Sequence, residues 1–162
     1  EIFPWTNGEI CLVEISGREI LSTLERSVSS LPVISGSYNG CFLQFSKGVS
    51  VTYDLSKQPQ VIDNTNPDSI FISSEGERVI SVSINGIPLD TNHIYRMVCP
   101  HWLTQGGDDF ITLNAINPSK IYLINPIPDI NPSLTMERLA LINYLEKYKI
   151  VAPVIEGRIV FL

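Results

Sequence analysis

The chain has 162 residues, of which 44% are hydrophobic and 17% are charged, and its net charge is −6 with a pI near 4.8. This length and apolar content suffice for one hydrophobic core, so we expect residues 1–162 to form a single domain. The acidic balance argues against a nucleic-acid or anionic-membrane partner, because such surfaces require a basic patch. The sequence contains no run of about 18 apolar residues, so it predicts no membrane span.

The first predicted elements are a strand and a helix. Residues 9–15 alternate loosely between apolar and polar positions, which predicts a strand. Ser16 and Glu19 have the Ser-x-x-Glu spacing of a capping box, so a helix should begin there and end before Pro32. Its apolar stripe comprises Ile20, Leu21, Leu24, Val28 and Leu31. Its polar face, which we interpret as solvated surface, comprises Ser22, Glu25, Arg26 and Ser29.

The next part of the chain predicts a hairpin and then an irregular connection. Residues 42–45 and 49–54 read as two strands that pair around a short turn at residues 46–48. Residues 56–69 are rich in Pro, Asn and Asp, which favours a loop or an irregular insertion.

The second half predicts further strands and a C-terminal helix. Asn85-Gly86 is a hairpin signal, and we expect the strands on either side of it to share one sheet. Asn131-Pro132 is typical of a helix start, and this helix should run to about Tyr148. The strands are predicted at residues 79–84, 94–99, 121–124 and 158–161. Strands and helices interleaved in this uneven way predict an α+β domain.

The cysteines and histidines offer no metal site or nucleophilic centre. Cys11, Cys41 and Cys99 lie in apolar strand patterns, which favours buried free thiols. One disulfide with a leftover thiol is the alternative, and Cys41 with Cys99 is the pair considered first. His93 and His101 lack the pairing that a two-metal phosphatase centre requires. We therefore predict no catalytic residue, no metal ligand and no bound cofactor in this chain.

Two short segments carry the candidate site, residues 40–44 with Phe42 and residues 102–110 with Trp102 and Asp108. An aromatic face stacks on a base, and a carboxylate accepts hydrogen bonds from ribose hydroxyls. Gly106 and Gly107 permit a positive-φ turn or a close approach of the backbone to a ligand. Together these residues predict a binding site for a flat, hydroxyl-bearing ligand such as a nucleoside.

Each of these residues also has a purely structural interpretation. Phe42 shares its predicted strand face with polar residues, so it is either a stacking platform or is covered by a second layer of core. Trp102 either stacks on a base or is a partly buried anchor at a strand end. Asp108 either accepts hydrogen bonds from a sugar or caps a short helix through Phe110. The residue patterns alone leave these alternatives open.

Five motifs, in this order, resemble the C-terminal domain of the 5'-nucleotidases. They are FPWTN at 3–7, ISGREIL at 15–21 with Leu24-Glu25, GCFLQ at 40–44, YDLS at 53–56 and WLTQGGDDF at 102–110. The sequence PVIEGRI at 153–159 resembles the end of that domain in the ecto-5'-nucleotidase branch. The resemblance extends over nearly the whole chain.

The resemblance implies layered mixed sheets with flanking helices and a division of labour between two domains. A preceding metallophosphoesterase domain, with two divalent, zinc-like metal ions, would hydrolyse the phosphate ester, and this chain alone is expected to be inactive. This domain would bind the nucleoside or nucleotide and move between open and closed forms. Phe42 and Trp102 would sandwich the base, and Asp108 would accept hydrogen bonds from the ribose hydroxyls.

The resemblance also implies an extracellular, cell-surface or periplasmic location. Some family members are homodimers through this domain, although no long exposed apolar stripe in the sequence requires a dimer. Two stacking contacts of about 1 to 3 kcal/mol each predict millimolar to high micromolar affinity for a nucleoside once the entropic cost of association is subtracted.

This chain departs from the family pattern at four places. Trp102 replaces a phenylalanine. Asp109 replaces the glycine that follows Asp in Gly-Gly-Asp-Gly-Phe, and this carboxylate is expected to alter the loop or repel a phosphate. Residues 46–48 expand a turn that is usually shorter. The family's Asn-x-Gly-x-x-Arg segment would lie upstream of Glu1, so we expect the chain to start inside the domain.

Two sets of alternatives accompany the main prediction. An apyrase, a nucleotide-sugar hydrolase or a cyclic-nucleotide phosphodiesterase would have a similar domain. The alternative from another functional class is a catalytically inert interaction module that retains the fold, for which Asp109 and the missing arginine segment are the support.

Overall fold

The structure, a computed structural model, describes residues 9–32, 41–124 and 136–162. Within these ranges the order of elements confirms the α+β class. The elements are β1 Ile10–Ser16, α1 Gly17–Val28, β2 Val49–Tyr53, β3 Val61–Asp63, β4 Phe71–Ser74, β5 Val79–Ile84, β6 Ile87–Pro88, β7 Ile94–Pro100, α2 His101–Thr104, α3 Ile111–Asn114, β8 Ile121–Ile124, α4 Met136–Tyr148 and β9 Ile159–Phe161.

The described strands form three small sheets. The first has the order β7-β1-β8 and is antiparallel throughout, with the predicted strand β8 at an edge. The second has the order β6-β5-β2-β9 and is mixed, because β9 pairs with β2 in parallel while the other pairs are antiparallel. Strands β3 and β4 form a separate antiparallel pair. The layered mixed sheets expected for this domain are therefore present.

Helix α1 lies between the first two sheets and begins at the predicted capping box. Ser16 Oγ accepts a hydrogen bond from the backbone N–H of Glu19, and the Glu19 carboxylate accepts one from Ser16 N at 2.7 Å. Ile20, on this helix, contacts both clusters of buried residues, one beside β1 and one beside β2. The helix therefore joins the two halves of the core.

Several predicted strands are confirmed, and the turn between two of them has the expected geometry. Strands β1, β5, β7, β8 and β9 lie where the sequence pattern placed them, within one or two residues. Asn85 and Gly86 have φ values of 53° and 79°, which is the left-handed pair of a type I′ hairpin turn. Helix α4 ends at Tyr148 as expected, whereas its predicted start at Asn131-Pro132 lies outside the described residues.

Three predictions about strand pairing are wrong. Residues 42–45 are not a strand, because Leu43 N donates to the side chain of Ser27 on α1 instead of to a strand partner. The segment 56–69 is not wholly irregular, since it contains β3, which pairs with β4. Strands β5 and β7 do not share a sheet, because the chain leaves the second sheet after β6 and enters the first.

All three cysteines are buried and in the thiol form, as the apolar strand patterns favoured. Cys99 lies directly opposite Cys11 in the β1–β7 ladder, with the two Sγ atoms 3.8 Å apart. Burial raises the pKa of the Cys99 thiol to about 12, so it is a neutral thiol at ordinary pH. The Sγ atom of Cys41 instead donates to the carbonyl of Arg26. The neighbour that the sheet gives to Cys99 is thus Cys11 and not Cys41.

The C-terminal part of the structure leaves several apolar side chains exposed. The exposed group on α4 and just after it comprises Ile142, Tyr144, Leu145, Tyr148, Ile150, Val151, Val154 and Ile155. An apolar surface of this extent is typical of a contact with another molecule or domain.

The polar face of α1 is not solvated surface, which corrects another prediction. Glu25 is only 6% exposed, and its two carboxylate oxygens accept hydrogen bonds from the backbone N–H groups of Arg78 and Val79, at 3.1 and 2.7 Å. The buried guanidinium of Arg78 donates to the carbonyls of Val28 and Lys57, so it closes the C-terminal end of the helix. These contacts tie α1 to β5.

Burial raises the pKa of the Glu25 carboxyl, although the hydrogen bonds from Val79 and Arg78 lower it in part. Because the folded state binds this proton more tightly than the unfolded state, stability should fall as the pH rises from 4.5 through the raised pKa. Glu25→Gln should remove this fall in the free energy of unfolding, measured in denaturant at several pH values. It should also cost about 1 to 3 kcal/mol near neutral pH, since the amide offers one acceptor in place of two.

Glu146→Gln, on the exposed surface of α4, serves as the matched control and should retain the pH dependence. A Glu25→Gln chain with the same pH dependence as the unsubstituted chain would contradict the assignment to Glu25.

Candidate functional site

Trp102 lies in the short helix α2, which follows β7 directly, and its side chain is 43% exposed. The neighbouring buried residue Leu103 anchors this helix in the first core cluster. After α2 the chain turns at Gly106, whose φ is 88°, and brings the backbone of Gly107 against the indole. A Cβ atom on Gly107 would lie 2.6 Å or less from three ring atoms of Trp102, so this position requires glycine.

Asp108 lies in a 3-10 turn, Gly107–Asp109, between α2 and α3. Its φ of 50° places it in the left-handed region, and Asp109 follows with a φ of 57°. No side-chain cap hydrogen bond occurs at this turn, so the interpretation of Asp108 as a helix cap is wrong. Among the described residues, no hydrogen bond to the carboxylate of Asp108 is present. That carboxylate keeps its capacity to accept hydrogen bonds from a ligand.

Arg26 holds this turn from the polar face of α1. Its Nε donates to the carbonyl of Asp108 at 2.9 Å, and its Nη2 lies 3.2 Å from the carboxylate of Asp109. The Arg26 side chain is 14% exposed and that of Asp109 is 50% exposed. Asp109, which replaces a glycine of the expected motif, therefore carries a charge that is paired with Arg26.

Phe42 lies beside the C-terminal end of α1, half-buried against the cluster beside β2. Its ring centroid is 6.2 Å from that of Phe161 in β9, and Phe161 in turn stacks on Tyr53 at 5.7 Å. The second layer of core that was one of the two interpretations of Phe42 is therefore present in part. Sequence reasoning missed Phe161, because only the parallel pairing of β9 with β2 brings it near Phe42.

The structure joins the two predicted segments through α1 and not through a direct aromatic contact. The Cys41 thiol, next to Phe42, donates to the Arg26 carbonyl at 3.6 Å, while the Arg26 side chain contacts Asp108 and Asp109. Trp102, Gly106, Gly107 and Asp108 form one continuous segment. Phe42 packs with a different set of residues, and the described part of the chain shows no ring contact between Phe42 and Trp102.

A cavity of about 630 Å³ lies elsewhere, between α1, the β4–β5 region and α3. Its volume is in the range that accommodates a small molecule. Its apolar wall includes Leu21, Phe71 and Ile111. Glu19, Glu25, Glu75 and Glu77 also line it, and none of the five predicted site residues does. No pattern in the sequence indicated this cavity, because its lining comes from three distant segments.

The histidines take part in isolated contacts. His101 Nδ1 lies 3.0 Å from the Glu9 carboxylate, and His93 packs edge-on against Tyr95. Within residues 9–32, 41–124 and 136–162, no group of three or more His, Cys, Asp and Glu side chains could hold a metal ion. These residues do not fit a two-metal centre, so we derive no step of hydrolysis from them. None of the described helices has the length and apolar character needed to cross a bilayer.

Comparison with known proteins defines the family. The model of the 5'-nucleotidase C-terminal domain matches residues 2–115, which is more than half of the chain. The chain therefore belongs to the family of 5'-nucleotidase C-terminal domains. Human 5'-nucleotidase is 28% identical over 95% of this chain, and a snake venom 5'-nucleotidase from Macrovipera lebetinus is 26% identical over 96% of it.

Solved structures agree with this assignment. The 5'-nucleotidase precursor from Thermus thermophilus has a TM-score of 0.69 and 27% identity over 96% of this chain. The Haemophilus influenzae NAD nucleotidase has a TM-score of 0.62 at 16% identity over 96% of this chain, which shows the shared fold. The chain spans only part of these proteins: 23% of the human enzyme, 32% of the venom enzyme, 25% of the Thermus chain and 24% of the Haemophilus chain.

The contact between Gly107 and Trp102 gives a direct prediction. Gly107→Ala should displace the indole and destabilise the chain by about 1 to 3 kcal/mol, because the added methyl group overlaps the ring. Trp102 fluorescence in a Trp5→Phe background, together with denaturant unfolding, measures both effects. Gly86→Ala is the control, since its Cβ meets nothing within 4 Å and strains only the turn at φ 79°. An unchanged Trp102 emission spectrum in Gly107→Ala would contradict the contact.

Tyr53 gives a second prediction, because its hydroxyl is buried without a hydrogen-bond partner among the described residues. Burial raises its pKa, as expected for a hydroxyl in apolar surroundings. Tyr53→Phe should stabilise the chain by about 1 kcal/mol, since it removes an unpaired polar group and keeps the ring that stacks on Phe161. Denaturant unfolding measures this gain. Tyr122→Phe, half-exposed on β8, should change stability little. A loss of stability in Tyr53→Phe would contradict this account.

Proposed function

We propose that this chain is the substrate-binding domain of a 5'-nucleotidase-like hydrolase and that it binds the nucleoside part of a nucleotide. The observation that carries the proposal is the turn 106–110, in which Asp108 directly follows Gly107, whose backbone lies against the half-exposed ring of Trp102. Membership of the 5'-nucleotidase C-terminal domain family supports the choice of ligand.

The proposed binding mode uses the chemistry of each group. The exposed part of the Trp102 indole stacks on the base, and Gly107 supports the ring from behind. The Asp108 carboxylate accepts hydrogen bonds from ribose hydroxyls. Phe42, fixed by its contact with Phe161, supplies a second aromatic surface for the base. Stacking of this kind tolerates different bases, so the affinity of the chain alone is millimolar to high micromolar.

Removal of the phosphate is assigned to another domain. The described residues offer no metal cluster, and the chain corresponds to 23% of the length of its human relative. A preceding metallophosphoesterase domain would supply metal-assisted hydrolysis with two divalent ions. The role of this chain is to bind and orient the substrate for that domain.

The location and the partners follow from the relatives and the surface. Relatives named as venom 5'-nucleotidases favour an extracellular or periplasmic location. The exposed apolar residues on and after α4 favour a contact with another molecule or domain, and a homodimer is the partner proposed for this surface.

Adenosine titration tests the function. In a Trp5→Phe background, adenosine should quench Trp102 fluorescence in a saturable way with a dissociation constant in the millimolar to high micromolar range. Phe42→Ala should weaken binding by about fivefold or more, since it removes a stacking contact of about 1 to 3 kcal/mol. Asp108→Ala should weaken it by about tenfold or more, since it removes hydrogen bonds to a charged group, worth about 1.5 to 3 kcal/mol. Circular dichroism confirms that the variants remain folded.

Phe71→Ala is the matched control, because Phe71 is an exposed aromatic residue that lines the separate cavity. It should leave adenosine binding unchanged. Loss of binding in Phe71→Ala with retention in Phe42→Ala would place the ligand in that cavity and overturn the proposed site. No binding by the folded unsubstituted chain would favour an inert interaction module.

A further inference from the structure

The turn that carries Asp108 has an unusual backbone. Asp108 and Asp109 are consecutive non-glycine residues with φ values of 50° and 57°. The left-handed region is unfavourable for an L-residue, and such residues persist where the surrounding structure fixes them. Something must therefore offset the cost of two such residues in succession.

Arg26 provides contacts on both sides of the strained peptide. It donates from Nε to the carbonyl between Asp108 and Asp109, and from Nη2 to the Asp109 carboxylate. A planar guanidinium presents its donors in a fixed fork, so these two contacts define the orientation of that peptide. Nη1 donates to Ser29 Oγ at 3.2 Å, which in turn fixes the guanidinium on α1.

The same residue also contacts the segment that contains Phe42. Its backbone carbonyl accepts from the Cys41 thiol, and the next residue, Ser27, accepts from Leu43 N at 2.8 Å through its hydroxyl. The residues on either side of Phe42 are therefore attached to the last turns of α1. A substitution of Arg26 should disturb the turn 106–110 first, because the contact with the turn uses the Arg26 side chain, whereas the contact with Cys41 uses the backbone carbonyl.

We propose that Arg26 is a positioning residue for the nucleoside site and that Asp109 is its matched partner. Arg26 sets the direction of the Asp108 carboxylate by holding Asp108 and Asp109 in the left-handed region. Asp109 stands where the expected motif has glycine, which adopts that region without help. The Arg26–Asp109 pair thus compensates for the loss of the glycine. This inference rests on the proposed function only for the identity of the ligand.

A double-mutant cycle separates positioning from general stability. Arg26→Met keeps the apolar part of the side chain and removes the donors, and it should weaken adenosine binding by about tenfold. Asp109→Gly restores the glycine of the motif and should change binding by less than about twofold. In the Asp109→Gly chain, Arg26→Met should cost less than about threefold, because glycine holds the turn without the pair.

Hydrogen exchange at two backbone amides measures how well the turn is held in the absence of any ligand. Asp109 N donates to Gly106 O and Phe110 N donates to Gly107 O, at 3.1 and 3.2 Å. Arg26→Met should speed exchange at both amides, and Asp109→Gly in the same chain should restore the slower rates. Arg26→Lys should resemble Arg26→Met, since an ammonium cannot present the fork.

Arg96→Met is the control, because Arg96 also pairs with a carboxylate, that of Glu14, but lies on β7 with its side chain 75% exposed. It should change neither binding nor exchange at the turn. If Arg26→Met reduced the affinity for adenosine by the same factor in the unsubstituted chain and in the Asp109→Gly chain, the inference would be overturned. If the unsubstituted chain binds no adenosine, the proposed function fails, and hydrogen exchange alone tests whether Arg26 positions the turn. Restoration of slow exchange by Asp109→Gly in the Arg26→Met chain supports that role. Unchanged exchange in Arg26→Met overturns it.

Discussion

The buried carboxylate of Glu25 is the interaction on which the rest of the structure depends. A buried charge is tolerated only where hydrogen bonds compensate for its lost hydration, and here the backbone N–H groups of Arg78 and Val79 do so. Arg78 then closes the end of α1 through the carbonyls of Val28 and Lys57. This network fixes the helix against β5, while the other side of the helix packs against the first sheet. The polar face of α1 thus joins segments that the apolar stripe alone would leave unconnected.

Three consecutive residues of α1 extend this arrangement to the candidate site. Glu25 contacts the start of β5, Arg26 contacts the turn at 108–109, and Ser27 accepts from Leu43 beside Phe42. Successive residues of a helix point about 100° apart, so one helical turn can address three different segments. Apart from Trp102, the proposed binding residues come from loops and turns, which are precise only when a rigid element holds them. The C-terminal turns of α1 serve as that element.

The sequence patterns predicted the local features and missed the long-range ones. The capping box at Ser16, the Asn85-Gly86 turn and the edge strand β8 depend on neighbouring residues, so a single sequence was sufficient. The burial of Glu25 depends on a backbone group 53 residues away, so the polarity of its side chain alone predicted a solvent-exposed position. Gly106 and Gly107 were expected to permit a positive-φ turn or a close approach to a ligand. The structure has the turn at Gly106 and brings Gly107 against Trp102. The Phe42–Phe161 contact required the parallel register of the last strand, which no local pattern encodes. The five proposed binding residues came from the chemistry of their side chains and backbone and from the motif resemblance, and their role stays a prediction.

The most direct test of the account is the measurement of intermolecular nuclear Overhauser effects between adenosine and the isotope-labelled chain. These effects report proton pairs that lie within a few ångströms, so they locate the base without relying on substitutions. If the base stacks on Trp102 and Phe42, contacts from the base protons to both rings should appear. Contacts from the base to Phe71 and Ile111, which line the separate cavity, would contradict it.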